Sequence, residues 1–342
     1  MKVSAYLSEK IRILSFFLTI LIVILHTNMA IQCTGSLSFL QQLITAELTR
    51  IAVPLFFLIS GFLFFINYND TFENYKRKII SRTHSLLIPY IFFLLLGSFL
   101  MFIIKETYTT IYFAKILKNG ILNSPPIFYP LWFLRDLYIM ALFAPLVSVV
   151  VRKVPVLLIF LIVIWALGKN PFIFPCAETI LFFSTGAYLA TKEKLLEQRN
   201  HKGTWLLFSF WLFLCFINTY INEYVITLPY ATHCFILILG IYTIWILYDK
   251  FYPKFSKRIK TADIYNYSFF IYLVHEPLLT IIKKIGLYII GDSSLSIGII
   301  YISAPLITIY ISYSMGYCLN HYTPHILAII TGGRVKTKNS HH

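Results

Sequence analysis

Ten stretches of this sequence are apolar for long enough to need a hydrocarbon environment, and few folds are open to such a chain. They lie near residues 11–31, 43–67, 83–104, 130–151, 154–168, 176–191, 204–222, 230–249, 264–283 and 295–319. About 20 helical residues cross a bilayer core. In lipid every backbone N–H and C=O needs an internal partner, which a helix supplies within one segment. The expected fold is an all-α integral membrane protein, a bundle of about ten transmembrane helices. It is read as a single membrane-embedded domain over 1–342, with a core at about 10–320 and a C-terminal tail at about 321–342. The fifth and sixth runs are short, with Pro155, Pro171 and Pro175 at their ends, so a tilted or re-entrant pair is the alternative there. The first run is long enough to span and no small-residue cleavage site follows it, which reads as an uncleaved anchor.

A net charge of +15 raises nucleic acid as a partner, but the sidedness of the charge argues otherwise. With the N-terminus in the cytoplasm, the inner loops collect Lys2, Lys10, Arg12, the 76–82 cluster, Arg152, Lys153, the 192–202 cluster, the 250–260 cluster, and Arg334, Lys336 and Lys338. That side holds 21 lysines and arginines, and the outer side holds 6: Lys105, Lys115, Lys118, Lys169, Lys283 and Lys284. Such a bias is the positive-inside pattern, and it accounts for the charge without nucleic acid. Both termini are then cytoplasmic. Five cysteines form no CxxC pair and no metal-ligand spacing; Cys33 and Cys176 fall on the same side of this topology.

Several polar groups interrupt the runs at similar depth. His26 sits near the end of the first, Arg50 in the first turns of the second, and Arg135 and Asp136 near the outer end of the fourth. Glu178 and His233 occupy the outer ends of the sixth and eighth, and His275 and Glu276 lie past the middle of the ninth, just before Pro277. An ionisable residue at membrane depth is costly and points to function, and histidine is suited to proton transfer near neutral pH. A shared level favours a polar cavity in the outer half over scattered structural pairs. His26 alone reads equally as glue between helices, and Arg50 equally as a residue reaching for headgroups. Arg135 and Asp136 are adjacent on a helix and point about 100° apart, so each is expected to find its own partner. Ser60-Gly61 suits close helix packing. The basic segment from Tyr75 to His84 reads either as topogenic charge or as an anion site.

Five stretches together resemble the membrane-bound acyltransferase 3 family, whose members O-acylate sugars, mostly in bacterial envelopes. They are LSFFLTILIVILHTN (Leu14–Asn28), LTRIAVPLFFLISGFLFF (Leu48–Phe65), KRKIISRTHSLLIPY (Lys76–Tyr90), PLWFLRDLYIM (Pro130–Met140) and YSFFIYLVHEPLL (Tyr267–Leu279), in family order. The resemblance implies a ten-helix bundle in the bacterial cytoplasmic (inner) membrane. It also implies an acyl-CoA co-substrate, usually acetyl-CoA, with no permanently bound cofactor and no metal, and a carbohydrate acceptor that is free or lipid-linked. It makes His26 the catalytic candidate and Arg77, Lys78 and Arg82 the acyl-CoA-binding candidates. Arg50, Arg135, Asp136, His275 and Glu276 then become candidates for binding the substrate or a developing oxyanion. Two positions depart from the family pattern: Ser15 stands where many members have arginine, and Arg77 and Arg82 are five residues apart rather than three. Direct attack on the acyl donor and an acyl-histidine intermediate are both compatible with these residues. The rival from another class is a transporter or flippase for an anionic or lipid-linked substrate, against which stands the lack of an internal repeat.

Overall fold

In the computed structural model, residues 4–29, 35–104, 110–123, 125, 127–169, 175–192, 196–197, 202–259 and 263–334 are described. Cys33, Pro171 and the basic residues Lys2, Lys105, Lys194, Arg199, Lys260, Lys336 and Lys338 lie outside them. The described residues are 85% helical, with no strand among them.

A first helix, α1 (Ala5–His26), precedes a broken one: α2 (Ser36–Gln42), a π-helical turn (Leu43–Leu48), then α3 (Ala52–Phe65). The next also contains a π-helical turn (Thr83–Leu87), between α4 (Phe72–Arg82) and α5 (Ile88–Ile104). There follow α6 (Thr110–Leu122), α7 (Trp132–Leu142), α8 (Ala144–Lys153), α9 (Leu157–Ala166), α10 (Ala177–Ala190), α11 (Thr204–Tyr224) and α12 (Tyr230–Ile259). The chain finishes with α13 (Ser268–Ile290), α14 (Ser294–Tyr322) and α15 (Pro324–Thr331). Among the described residues five spans, 36–65, 72–104, 204–224, 230–251 and 294–322, are long and apolar enough to cross a membrane, and the bent pair α7–α8 makes a sixth if it counts as one span. The chain is thus a multi-pass membrane protein. α1 and α13 interrupt their apolar faces with charge, Glu9, Lys10 and Arg12 in one and Glu276, Lys283 and Lys284 in the other.

The breaks have a common cause. Proline has no N–H, so the carbonyl four residues earlier loses its helical donor, and the ring crowds it. Pro54 does this to Arg50, just before α3 begins; Pro89 does it to Ser85, inside the second π-helical turn; Pro145 does it to Ala141. The single span expected over 130–151 is therefore two helices bent by 67°. α6 was not expected. It packs on α5, with Phe113 edge-on to Phe102 at 5.7 Å. Part of the expected tail is likewise a packed helix, since Leu327 and Ile330 of α15 are buried.

Two contacts set the helix positions. α3 and α10 meet backbone to backbone at Gly61 and Gly186, where an added Cβ would overlap the carbonyl oxygens of Phe183 and Leu58 respectively. Small residues allow such approaches in lipid, as Ser60-Gly61 suggests. Gly186→Ala is expected to destabilise the bundle by about 1–3 kcal/mol, because backbone cannot move aside as a side chain can. Thermal unfolding in detergent measures it, and an unchanged midpoint would show that the helices are not this close.

The second contact is a buried ion pair. Lys10 is fully buried, its Nζ 2.8 Å from Asp249 Oδ1 and 4.3 Å from the centre of the Trp245 ring. The Tyr6 hydroxyl donates to the same carboxylate oxygen. This cluster ties α1 to α12, so Lys10 is a core residue as well as part of the charge bias.

Candidate active site

α1 ends at His26, where the Thr27 N–H bonds the Ile24 carbonyl and the Thr27 hydroxyl bonds that of Val23. Lys283 on α13 donates to the His26 carbonyl at 2.9 Å, a cation on the exposed carbonyl end of a helix. The His26 ring shares a hydrogen bond of 2.7 Å between Nδ1 and the Tyr129 hydroxyl, and lies 5.4 Å from the His275 ring between centres. With Nδ1 occupied, Nε2 makes no hydrogen bond to a described residue. An imidazole held through one nitrogen, with the other unengaged, is the arrangement a proton acceptor needs.

His26 lines a cavity of about 880 Å³. Arg50, Glu178 and His233 line it too, so four residues expected to share a level do share a chamber. Arg50 stands at the break between the first π-helical turn and α3, and Glu178 in the first turn of α10, where the helix N-terminus favours a carboxylate. Glu47 is an addition the sequence reading missed. Its carboxylate accepts from Asn218 Nδ2 at 2.8 Å and lies 3.3 Å from His233 Nδ1. A lone carboxylate three residues before Arg50 in an apolar run was the available signal. Trp132, Phe133 and Tyr230 supply aromatic wall, giving an apolar concavity with a few converging polar groups, as small-molecule sites have.

The remaining outer candidates do not line this cavity. His275 is fully buried behind His26; its Nδ1 donates to the Tyr272 carbonyl at 2.6 Å, and its Nε2 has no partner among the described residues. Glu276 accepts from Thr280 at 2.9 Å. Arg135 and Asp136 correct an expectation: they pair with each other, Nε and NH2 of the arginine each 2.9 Å from Asp136 Oδ1. The arginine side chain is long enough to fold back across the 100° between them. Arg135 NH1 also caps the end of α6 through the carbonyls of Ile121, Leu122 and Asn123, and Asp136 Oδ2 accepts the Cys176 N–H at 3.3 Å. The pair therefore joins α6, α7 and α10.

A second cavity of about 500 Å³ opens at the opposite end of the bundle, where the basic segment lies. Of the three acyl-CoA candidates only Arg82 lines it. Arg77 is exposed on α4, and Lys78 donates to the Phe64 carbonyl at the end of α3. Arg12, Ser15 and Thr19 line it from α1, three and four residues apart and so on one face. Arg12 thus brings a guanidinium to the cavity one turn from Ser15, the position at which many members of the resembling family carry one. Arg334, beyond α15, is a third arginine on this cavity.

The two cavities share a wall. Phe133 and Tyr272 line both, their rings edge to face at 5.9 Å, and the Tyr272 hydroxyl donates to the Pro130 carbonyl at 2.6 Å. One cavity holds two histidines, one arginine, carboxylates and aromatic faces, and the other holds three arginines and no carboxylate.

This membrane bundle belongs to the acyltransferase domain family, acyltransferase 3, whose model matches residues 10–317. The chain is similar to the succinoglycan biosynthesis protein ExoH of Rhizobium meliloti, 23% identical over 323 residues that cover 89% of this chain and 85% of that protein. No solved structure matches it.

Proposed function

We propose that this acyltransferase moves an acyl group, in the simplest case acetyl, from cytoplasmic acyl-CoA to a hydroxyl of a cell-envelope carbohydrate, with His26 as general base. The observation that carries the reading is the pair of cavities meeting at Phe133 and Tyr272, cationic on one side and histidine-bearing on the other. A donor with phosphates and an acceptor with hydroxyls need such different surroundings and a common boundary. The role of the similar Rhizobium protein in succinoglycan biosynthesis supports a polysaccharide acceptor.

The topology that goes with this reading has ten spans, both termini in the cytoplasm and the arginine cavity facing inward, in a bacterial inner membrane. The support for its orientation is the 21 to 6 charge bias. CoA phosphates are held at the arginine cavity and the thioester reaches the wall that Phe133 and Tyr272 form between the cavities. The acceptor hydroxyl oxygen attacks the thioester carbonyl carbon while His26 Nε2 takes its proton. The new ester C–O bond forms, the C–S bond breaks, and the proton passes to the departing thiolate. Arg50 stabilises the negative charge that develops on the carbonyl oxygen. Tyr129 and His275 hold the His26 ring in place, and Lys283 holds the end of its helix.

Membranes containing the protein, given acetyl-CoA radiolabelled in the acetyl group, are expected to accumulate label on carbohydrate. Label that stays on CoA, with carbohydrate unmodified, would remove the enzyme reading and favour a carrier.

A further inference from the structure

Three arginines converge on the second cavity from parts of the chain far apart in sequence: Arg12 on α1, Arg82 at the end of α4, and Arg334 after α15. No aspartate or glutamate is among the residues lining that cavity, and none of the three arginines forms an ion pair with a described residue. Instead their guanidinium groups lie over aromatic rings: Arg12 5.9 Å from the centre of Tyr265, Arg82 5.7 Å from Phe64 and Arg334 3.7 Å from Phe269. Clustered like charges repel and are expensive at a bilayer surface unless an anion joins them. A guanidinium stacked on a ring keeps its in-plane donors for a phosphate fork.

Arg334 lies outside the stretch that matches the family, which ends at residue 317. Its position is nonetheless built. α15 packs on α14 and α5. Its end is closed by the Gly332 and Gly333 N–H groups on the carbonyls of Ile329 and Ala328. Gly332 has a φ of 62°, and a Cβ there would lie 2.5 Å from the His84 carbonyl oxygen and the Ser85 Cα. Only glycine fits a left-handed turn pressed on that backbone. The contact lies in the π-helical turn that directly follows Arg82, so the same junction brings Arg334 and Arg82 to one cavity.

The geometry points to Arg334 as a donor-binding residue that completes, with Arg12 and Arg82, a three-arginine site for the phosphates of the acyl-CoA donor. The assignment rests on the proposed acyl-CoA dependence and adds to it a residue from beyond the family segment. Loss of one charge-assisted fork costs about 1.5–3 kcal/mol, about a 10- to 100-fold change in affinity.

The test uses the full chain in membranes with two donors, acetyl-CoA and S-acetyl-pantetheine, which carries no phosphate. Arg334→Gln is expected to raise the KM for acetyl-CoA by about 10- to 100-fold with kcat little changed, and to leave transfer from S-acetyl-pantetheine at the parent rate. Arg334→Lys should recover part of the loss, and Gly332→Val should reproduce it by displacing the residue. An unchanged acetyl-CoA KM in Arg334→Gln, with the parent enzyme active on acetyl-CoA, overturns this assignment alone. Equal losses with both donors also overturn it, and place the arginine on a lipid phosphate or in structural support. A parent protein that uses neither donor overturns the acyl-CoA reading, and this assignment with it.

Discussion

His26→Ala is expected to reduce acyl transfer by about 10²–10⁴-fold, the usual contribution of a positioned general base, while the protein still accumulates in the membrane. The two halves of that expectation have separate grounds. The fold loses little, because His26 closes the last turn of α1 and its ring makes one side-chain hydrogen bond, to Tyr129; such a bond is worth about 0.5–1.5 kcal/mol net. Its backbone contact, the carbonyl held by Lys283, survives any substitution. The chemistry loses the nitrogen that accepts the acceptor's proton, and no second ring takes over. His275 is fully buried with Nδ1 already on the Tyr272 carbonyl, and His233 lies against Glu47 across the cavity. His26→Gln keeps size and polarity but cannot take the proton, so it should be nearly as inactive. Label transferred to carbohydrate at the parent rate by either variant would mean that His26 is structural.

Asp249→Ala should cost about 3–5 kcal/mol of stability, because it removes the carboxylate that pairs with the fully buried Lys10. Lys10 has no exposure and is enclosed by Trp245 and Tyr248, which attract a cation without replacing its counter-ion. That loss is a large fraction of a typical net stability of about 5–15 kcal/mol. It should appear as a lower thermal midpoint in detergent and lower abundance in cells. Lys10→Met combined with Asp249→Leu should recover most of the loss, since an apolar pair of similar size fills the space with no charge to desolvate. A single variant as stable as the parent would show that water or another group reaches Lys10.

The membrane class was legible because apolar run length is a property of the chain itself. So was the depth of a polar group, which needs only a count along a helix; that count brought His26, Arg50, Glu178 and His233 to one level, and they do line one cavity. Partners were not legible, because they depend on which helices become neighbours and how each is turned about its axis. Lys10 read as surface charge because Asp249 lies 239 residues away. Arg135 and Asp136 were separated by helical geometry, which fixes where a side chain starts and not where a long one ends. Arg77, Lys78 and Arg82 read as one anion site, yet a basic helix spreads them round its circumference and only Arg82 comes to the cavity. The breaks at Pro54, Pro89 and Pro145 were written in the sequence all along, each a missing N–H four residues after an interrupted carbonyl.

The wall formed by Phe133 and Tyr272 has an electrical consequence. Two wet cavities opening at opposite ends of a bundle become a conducting path for ions and protons if they join. The Phe133 and Tyr272 rings stand between the two, with the Tyr272 hydroxyl held on the Pro130 carbonyl. Bulk and packing are therefore under constraint at these positions for a reason independent of catalysis.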